Sequence, residues 1–225
     1  MASQKGPSAK PRAGLNRERV LRAALLLADE GGIEALTMRR LGERLQVEAM
    51  SLYNHVAGKD DILDGIVDLV FSEIDLPSGV ADWKTAMHQR AVSARDALTR
   101  HPRAPSLMQA RTKPGPATLR HHNSVIGTLR TAGFTIDMAA HAFSVMDGYI
   151  YGFALQQVNL PSHTSEESAA LAESILRELP AQEYPYLAEM IVEHALKPEY
   201  DYAVEFQFGL DLILDGLERL REGAD

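Results

Sequence analysis

Apolar residues recur at helical spacing along almost the whole chain, and nowhere do they alternate with period two over a useful length. The pattern therefore predicts an all-α fold without a sheet. Asn16 is a good helix cap, and Leu15 and Val20 occupy the two positions of a hydrophobic staple. Val20, Ala24, Leu27 and Ala28 continue the face until Gly31-Gly32, where the helix is expected to stop. Thr37 is the next cap, again with a staple from Leu36 to Leu41, and starts a helix from Met38 to about Leu45. A short helix is expected from Ala49 to about His55. Gly58 breaks the chain before a longer helix from Lys59 to about Ile74, and Pro77, Ser78 and Gly79 mark a linker.

Further helices are expected over Asp82 to Arg100, Arg103 to Arg111, Pro116 to Ala132 and Ile136 to Gln157. After a loop from Asn159 to Ser165 come Glu166 to Leu179, Tyr184 to Ala195 and a last helix from Glu199 to Arg221. This order suggests three parts. Residues 1–14, rich in Ser, Gly, Pro, Lys and Arg, read as a disordered basic arm. Residues 15–58 form an N-terminal three-helix unit. Residues 59–225 form a second helical domain, joined through the connecting helix 59–75.

Two helices carry faces broad enough for more than one neighbour. In the last, Phe206, Leu210, Ile213, Leu217 and Leu220 form one stripe, widened by Phe208, Leu212 and Leu214 and opposed by an acidic stripe of Asp211, Asp215, Glu218 and Glu222. In Ile136–Gln157, Gly148 and Gly152 permit close helix approach beside Val145. These two helices are either ordinary core or the interface of a homodimer.

The segment Thr37 to Val56 reads as helix, tight turn, short helix. Leu41, Leu45, Val47, Leu52 and Val56 supply the wedge that fixes one helix against the other, as in a helix-turn-helix. The second of them is too short and polar for a core element. Its outward residues are Ala49, Met50, Ser51, Tyr53, Asn54 and His55, a mixture able to meet thymine methyls and base edges. Arg39, Tyr53 and Lys59 stand around it, placed to bond phosphate or a guanine edge. Charge sharpens this reading. The whole chain carries −8, yet from Met1 to Lys59 basic residues outnumber acidic ones, so the acidic surplus belongs to the second domain.

The run Gly32-Ile-Glu-Ala-Leu-Thr-Met-Arg-Arg-Leu41, with Leu52-Tyr-Asn-His-Val56 and Gly58-Lys-Asp-Asp-Ile-Leu63, resembles the tetracycline-repressor family over about Leu15 to Ile74. The resemblance implies DNA contacts from Thr37 and Arg39 at the start of the second helix. It implies further contacts from Ala49, Met50 and Ser51 at the tip of the recognition helix, from Tyr53, Asn54 and His55 on its exposed side, and from Lys59 to phosphate. Gln46 departs from the pattern, standing where the family usually has Gly in the turn; a left-handed residue there costs about 1 kcal/mol. The second domain resembles the branch containing the tetracycline repressor itself, through Asp82-Trp83, Arg111-Thr-Lys-Pro114, Ala132-Gly-Phe134, Gly152-Phe-Ala-Leu155 and Phe208 to Leu217. Recognition of tetracycline is not implied. The resemblance puts Gln109 in place of the His that binds the drug's magnesium, and Gln156 in place of the acid linked to that metal; neutral amides are poor substitutes.

A helical sensor domain encloses a largely apolar cavity with a few polar groups. Candidates for its lining are Trp83, Met87, Met108, Gln109, His122, Asn123, Phe143, Met146, Tyr149, Tyr151, Phe153 and Gln156, though any one aromatic or Met can equally be plain core. His121 and His122 are neighbours on a helix and point about 100° apart, so they make a poor chelating pair. With no Cys, no metal-ligand spacing, no Gly-rich phosphate loop and no nucleophile elbow, neither metal, cofactor nor catalytic residue is expected. The expected protein is a cytoplasmic, non-enzymatic regulator. The resemblance implies that it binds a palindromic double-stranded operator as a homodimeric repressor and that a small-molecule inducer releases it. A ligand-independent activator remains an alternative, as does an enzyme on a helical scaffold using His101, His121, His122 or His141.

Overall fold

The structure is a computed structural model that describes residues 14–77, 82–111, 113–160, 165–197 and 200–223, without the side chains of Gln109 and Ser165. The expected arm, apart from Gly14, and the linker residues Ser78 and Gly79 lie outside the described residues. Eleven α-helices and one π-helical turn, with no strand, make up the described residues. By contacts the chain divides into two compact units, one up to Ile66 and one from Val67 on.

In the first unit, α1 (Arg17–Ala35) starts where Asn16 accepts a hydrogen bond from the Arg19 amide at 2.8 Å. The expected stop at Gly31-Gly32 is a kink instead. Gly32 takes φ +75°, a conformation open to glycine, and one further turn follows it. Thr37 caps α2 (Met38–Leu45) by accepting from the Arg40 amide. Gln46 is left-handed (φ 58°, ψ 44°), so the turn has the shape glycine would give it, built with glutamine. The turn is tight: a Cβ on Gly42 would lie 2.8 Å from the Val47 carbonyl oxygen. Helix α3 (Ala49–Leu52) is shorter than expected, and residues 53–55 continue it as turns. Leu41, Leu52 and Val56 are buried with Val20, Ala24 and Leu36, so the apolar wedge closes as a core. Asp61 in α4 (Lys59–Ser72) receives both Arg17 guanidinium nitrogens at 2.7 Å, tying the two ends of this unit.

The second unit begins with the last turns of α4, which ends at Ser72 rather than Ile74. It is built on α5 (Trp83–Arg100) and α8 (Ile136–Asn159), which lie against each other and against α7 (Pro116–Thr131) and α11 (Tyr202–Glu222). Ala86, Ala91, Ala94 and Ala97 give α5 a narrow buried face, which lets it sit among these neighbours. Short α6 (Ala104–Ala110) adjoins α8. Peripheral α9 (Ser165–Glu178), α10 (Pro185–Met190) and the π-helical turn Ile191–Ala195 expose many of their apolar side chains. Asp68, on α4, accepts from the Thr118 amide at 2.8 Å and fixes the start of α7.

Candidate nucleic-acid interface and ligand cleft

In the first unit the wedge residues turn inward and the expected DNA residues turn outward. Thr37, Arg39, Met50, Tyr53, Asn54 and Lys59 are exposed, and Ala49, Ser51 and His55 are half-buried. Met50 keeps 76% of its surface at the tip of α3, unusual for so apolar a side chain on a short helix. Two of the cations already have protein partners. Arg39 Nε donates to Glu43 Oε1 at 2.9 Å, and Lys59 Nζ donates to the Ile33 carbonyl oxygen at 3.2 Å. Arg44 is turned away to Glu30 at 2.6 Å.

In the second unit a cleft of about 310 Å³ is lined by Val67, Phe71, Met108, Arg111, Lys113, Pro114, Thr118, His122, Phe143, Asp147 and Tyr151. His122 stands edge-on to both Phe71 and Phe143, with ring centroids 5.3 and 5.2 Å away. Burial holds the His122 ring below the usual histidine pKa, with Asp147 opposing and Arg90 adding to the shift, so it is neutral at pH 7. Behind the cleft runs a buried polar chain. Arg90 Nη2 donates to Asp147 Oδ1 at 2.5 Å, Arg90 Nε donates to His121 Nε2 at 3.1 Å, and the Tyr151 hydroxyl donates to Asp147 Oδ2 at 3.2 Å. Desolvation, then the Asp147 charge, raises the Tyr151 pKa, so the phenol stays protonated. The Thr118 hydroxyl is engaged with Asp68.

A larger open groove of about 1010 Å³ runs along α5 past Glu73, His88, Ser93 and Arg100. Its charged groups largely satisfy one another: Arg100 and His101 both bond Glu73, and His88 bonds Gln207. Among the described residues no group of three or more His, Asp or Glu is placed to hold a metal, and no helix is long and apolar enough to cross a membrane.

Residues 20–66 match the family described as bacterial regulatory proteins, tetR family, and residues 76–221 match the tetracyclin repressor-like C-terminal domain. The HTH-type transcriptional repressor DrrR1 of Streptomyces coeruleorubidus is 32% identical over 223 residues, covering 95% of this chain and 81% of that protein. This chain belongs to the tetracycline-repressor family. Its fold and its role as a DNA-binding transcriptional regulator follow from that membership, and the enzyme alternative falls with it, because the family is one of regulators. The class C tetracycline repressor of Escherichia coli is 29% identical over 212 residues, 92% of each chain. Among solved structures, ActR from Streptomyces coelicolor without ligand superposes with a TM-score of 0.76 at 26% identity, over 95% of this chain and 100% of that one. ActR in complex with actinorhodin gives 0.75 at 27%, over 93% and 99%.

Within this family frame, the structure brings only part of the expected lining together. Met108, His122, Phe143 and Tyr151 share the cleft. Met87 and Met146 are wholly buried in the helical core. Trp83 packs edge-on to Phe134 beneath Arg221 and, with Asn123, borders a separate shallow groove. Tyr149 donates to backbone carbonyls of Glu205 and Phe206, Phe153 stacks on Tyr202, and Gln156 accepts from the Tyr202 hydroxyl. These three therefore join α8 to α11 and do not line the cleft. The side chain of Gln109 lies outside the described residues.

Val67, Phe71, Arg111, Lys113, Pro114, Thr118 and Asp147 line the cleft without having been expected there. Arg111, Lys113 and Pro114 had been marked as a matching motif, a signal that they meet something. Asp147 gave none, because its partner Arg90 is 57 residues away in sequence. The expected dimer stripe also needs correction. Phe206, Leu210 and Leu217 are buried within this chain's own core, and Ile213 is half-buried. The apolar side chains that α11 leaves exposed are Val204, Phe208 and Leu212, on the side of the helix roughly opposite the buried stripe, and Leu220 near its end. On α8, Val145 is exposed, and a Cβ on Gly148 or Gly152 would meet nothing within 4 Å.

Proposed function

We propose that this protein is a repressor that binds a palindromic operator as a homodimer and leaves it when a small molecule enters the cleft of the second unit. Residues 15–58 are the DNA-binding domain, 59–225 the sensing and dimerising domain with its connecting helix, and 1–14 a basic arm. The protein acts in the cytoplasm, where its operator lies. The observation that carries this reading is the division of labour in the helix-turn-helix. Leu41, Leu52 and Val56 are buried, while Met50, Tyr53 and Asn54 stand free beside Arg39 and Lys59. In this reading Met50 meets thymine methyls, Tyr53, Asn54 and Thr37 bond bases or phosphates, and Arg39 and Lys59 neutralise phosphates. Ala49, Ser51 and His55 complete the face.

Ligand response is supported by the cleft and by the neighbour solved with actinorhodin. Helix α4 carries Lys59 at its first turn and Phe71, a wall of the cleft, in its last. A ligand that shifts α4 thus alters where the recognition helices of a dimer fall, against a spacing of about 34 Å between successive grooves. The ligand must prefer the state unable to bind DNA, by about 1–3 kcal/mol of coupling. The dimer forms through the exposed faces of α8 and α11.

The test is fluorescence anisotropy with palindromes from promoters near the gene, across a salt series. Log affinity is expected to fall linearly with log salt, with a slope of about −0.9 per neutralised phosphate. A flat salt dependence, or no palindrome bound, overturns the reading.

A further inference from the structure

The recognition helix is too short to hold itself. Helix α3 has a single turn, and the Tyr53 and Asn54 amides close the turns after it on the Met50 and Ser51 carbonyl oxygens at 3.3 and 3.4 Å. Those bonds are long, beyond the usual range of about 2.7–3.2 Å. Yet Tyr53, Asn54 and His55 need a fixed place if they are to read base edges. On one side Leu52 anchors them, wholly buried in the wedge. On the other side the anchor is polar. Arg17 Nη1 donates to the His55 carbonyl oxygen at 3.2 Å and to Asp61 Oδ2 at 2.7 Å, and Arg17 Nη2 donates to Asp61 Oδ1 at 2.7 Å. Asp61 Oδ2 in turn accepts from the Ala57 amide at 2.8 Å. Two side chains thus hold the backbone on both sides of Val56.

Local rules do not explain this arginine. Arg17 is the first residue of α1, where a cation opposes the helix dipole. Asp61 is the third residue of α4, where a carboxylate suits it. Both side chains are partly in water, and an exposed ion pair by itself contributes little to stability. What this pair adds is geometry, a forked contact with a backbone group tied to each partner.

We propose that Arg17 and Asp61 are a positioning pair for base reading. They fix the turn that carries Tyr53, Asn54 and His55, and with it the preference of the protein for its operator over other DNA. This rests on those three residues facing the operator. Neither Arg17 nor Asp61 has to touch DNA for it.

The test compares the palindrome bound by wild-type protein with a scrambled duplex of equal length, by fluorescence anisotropy of the full chain. Arg17→Met is expected to weaken operator binding about tenfold and scrambled-duplex binding by less than about threefold, so the specificity ratio falls. The salt slope on the operator is expected to be unchanged. A slope smaller by about 0.9 would make Arg17 a phosphate contact and overturn the proposal. Asp61→Asn separates geometry from charge. It makes the protein more positive, so charge alone favours tighter binding to both duplexes. It also sets an N–H donor against the guanidinium, and loss of the fork is expected to weaken operator binding about tenfold. Arg17→Met combined with Asp61→Asn is expected to lie within about twofold of the weaker single variant, because the second change finds the fork already broken. Arg17→Lys keeps the charge without the fork and is expected to restore only part of the lost affinity. Full affinity in Arg17→Lys, tighter operator binding in Asp61→Asn, or losses that multiply in the double variant overturn the proposal. So does an equal loss on both duplexes, the result of mere unfolding, which circular dichroism melts register independently. Wild-type protein that binds no palindrome better than the scrambled duplex overturns the operator reading itself.

Discussion

The Arg90 guanidinium donates to the Asp147 carboxylate at 2.5 Å, joining the middle of α5 to the middle of α8 with the arginine side chain wholly out of water. Removing one partner of such a pair strands the other charge in a low-dielectric interior. Asp147→Asn is therefore expected to destabilise the fold by about 3 kcal/mol in urea unfolding. Replacing both, as Arg90→Met with Asp147→Leu, is expected to recover most of the loss, because no buried charge remains. The pair matters here because Asp147 also lines the cleft.

His121 lies in the same chain, fully buried, and its pKa is pushed down to about 3 by desolvation first and then by the Arg90 and His122 charges. The unfolded chain has a His near 6.5, so it binds the proton that the folded chain refuses. Stability from this group is thus complete above about pH 6.5 and declines as pH falls from there toward 3. Urea unfolding at pH 7 and pH 5 is expected to show that decline. His121→Gln, which keeps an acceptor for Arg90 Nε but does not titrate, is expected to flatten it by close to one proton per molecule.

Gln46 is the one described residue other than glycine with a positive φ. Gln46→Gly is expected to raise stability by about 1 kcal/mol or slightly less, because relief of the left-handed strain is partly offset by a freer unfolded chain. A melt of the two proteins side by side checks it, and operator affinity is expected to be unchanged because the turn keeps its shape.

Glu43 holds Arg39 in the free protein, and both side chains are largely in water. Phosphate must displace that carboxylate. Glu43→Gln is expected to strengthen operator binding severalfold at low salt, and Arg39→Ala to weaken it and reduce the salt slope by about 0.9. An anisotropy titration at three salt concentrations separates the two effects.

The dimer surface makes a different prediction from the one the helical pattern suggested. Phe208→Glu and Leu212→Glu, on the exposed side of α11, are expected to give folded monomers by sedimentation with operator affinity down at least about a hundredfold. Leu210→Glu, by contrast, places a charge in the chain's own core and is expected to unfold the protein.

The local rules of the chain were enough for the helix-turn-helix. Its caps at Asn16 and Thr37, its wedge of Leu41, Leu52 and Val56 and its outward set at Met50, Tyr53 and Asn54 are consequences of short-range spacing. So are the all-α class and the succession of helices. Helix ends proved looser, at Gly32, Leu52 and Ser72, because one turn more or less depends on neighbours. What only the tertiary structure decided was which side of a broad apolar helix faces inward and which polar groups meet. Phe206 and Phe208 are two residues apart on one helix, and only the position of α5 and α8 makes the first core and the second surface. Asp147 is a lone acid in the sequence. It becomes a paired, buried part of the cleft lining because Arg90, 57 residues earlier, reaches it through the bundle. Periodicity fixes the direction of a side chain relative to its own helix, whereas the partner it meets depends on how distant helices are brought together.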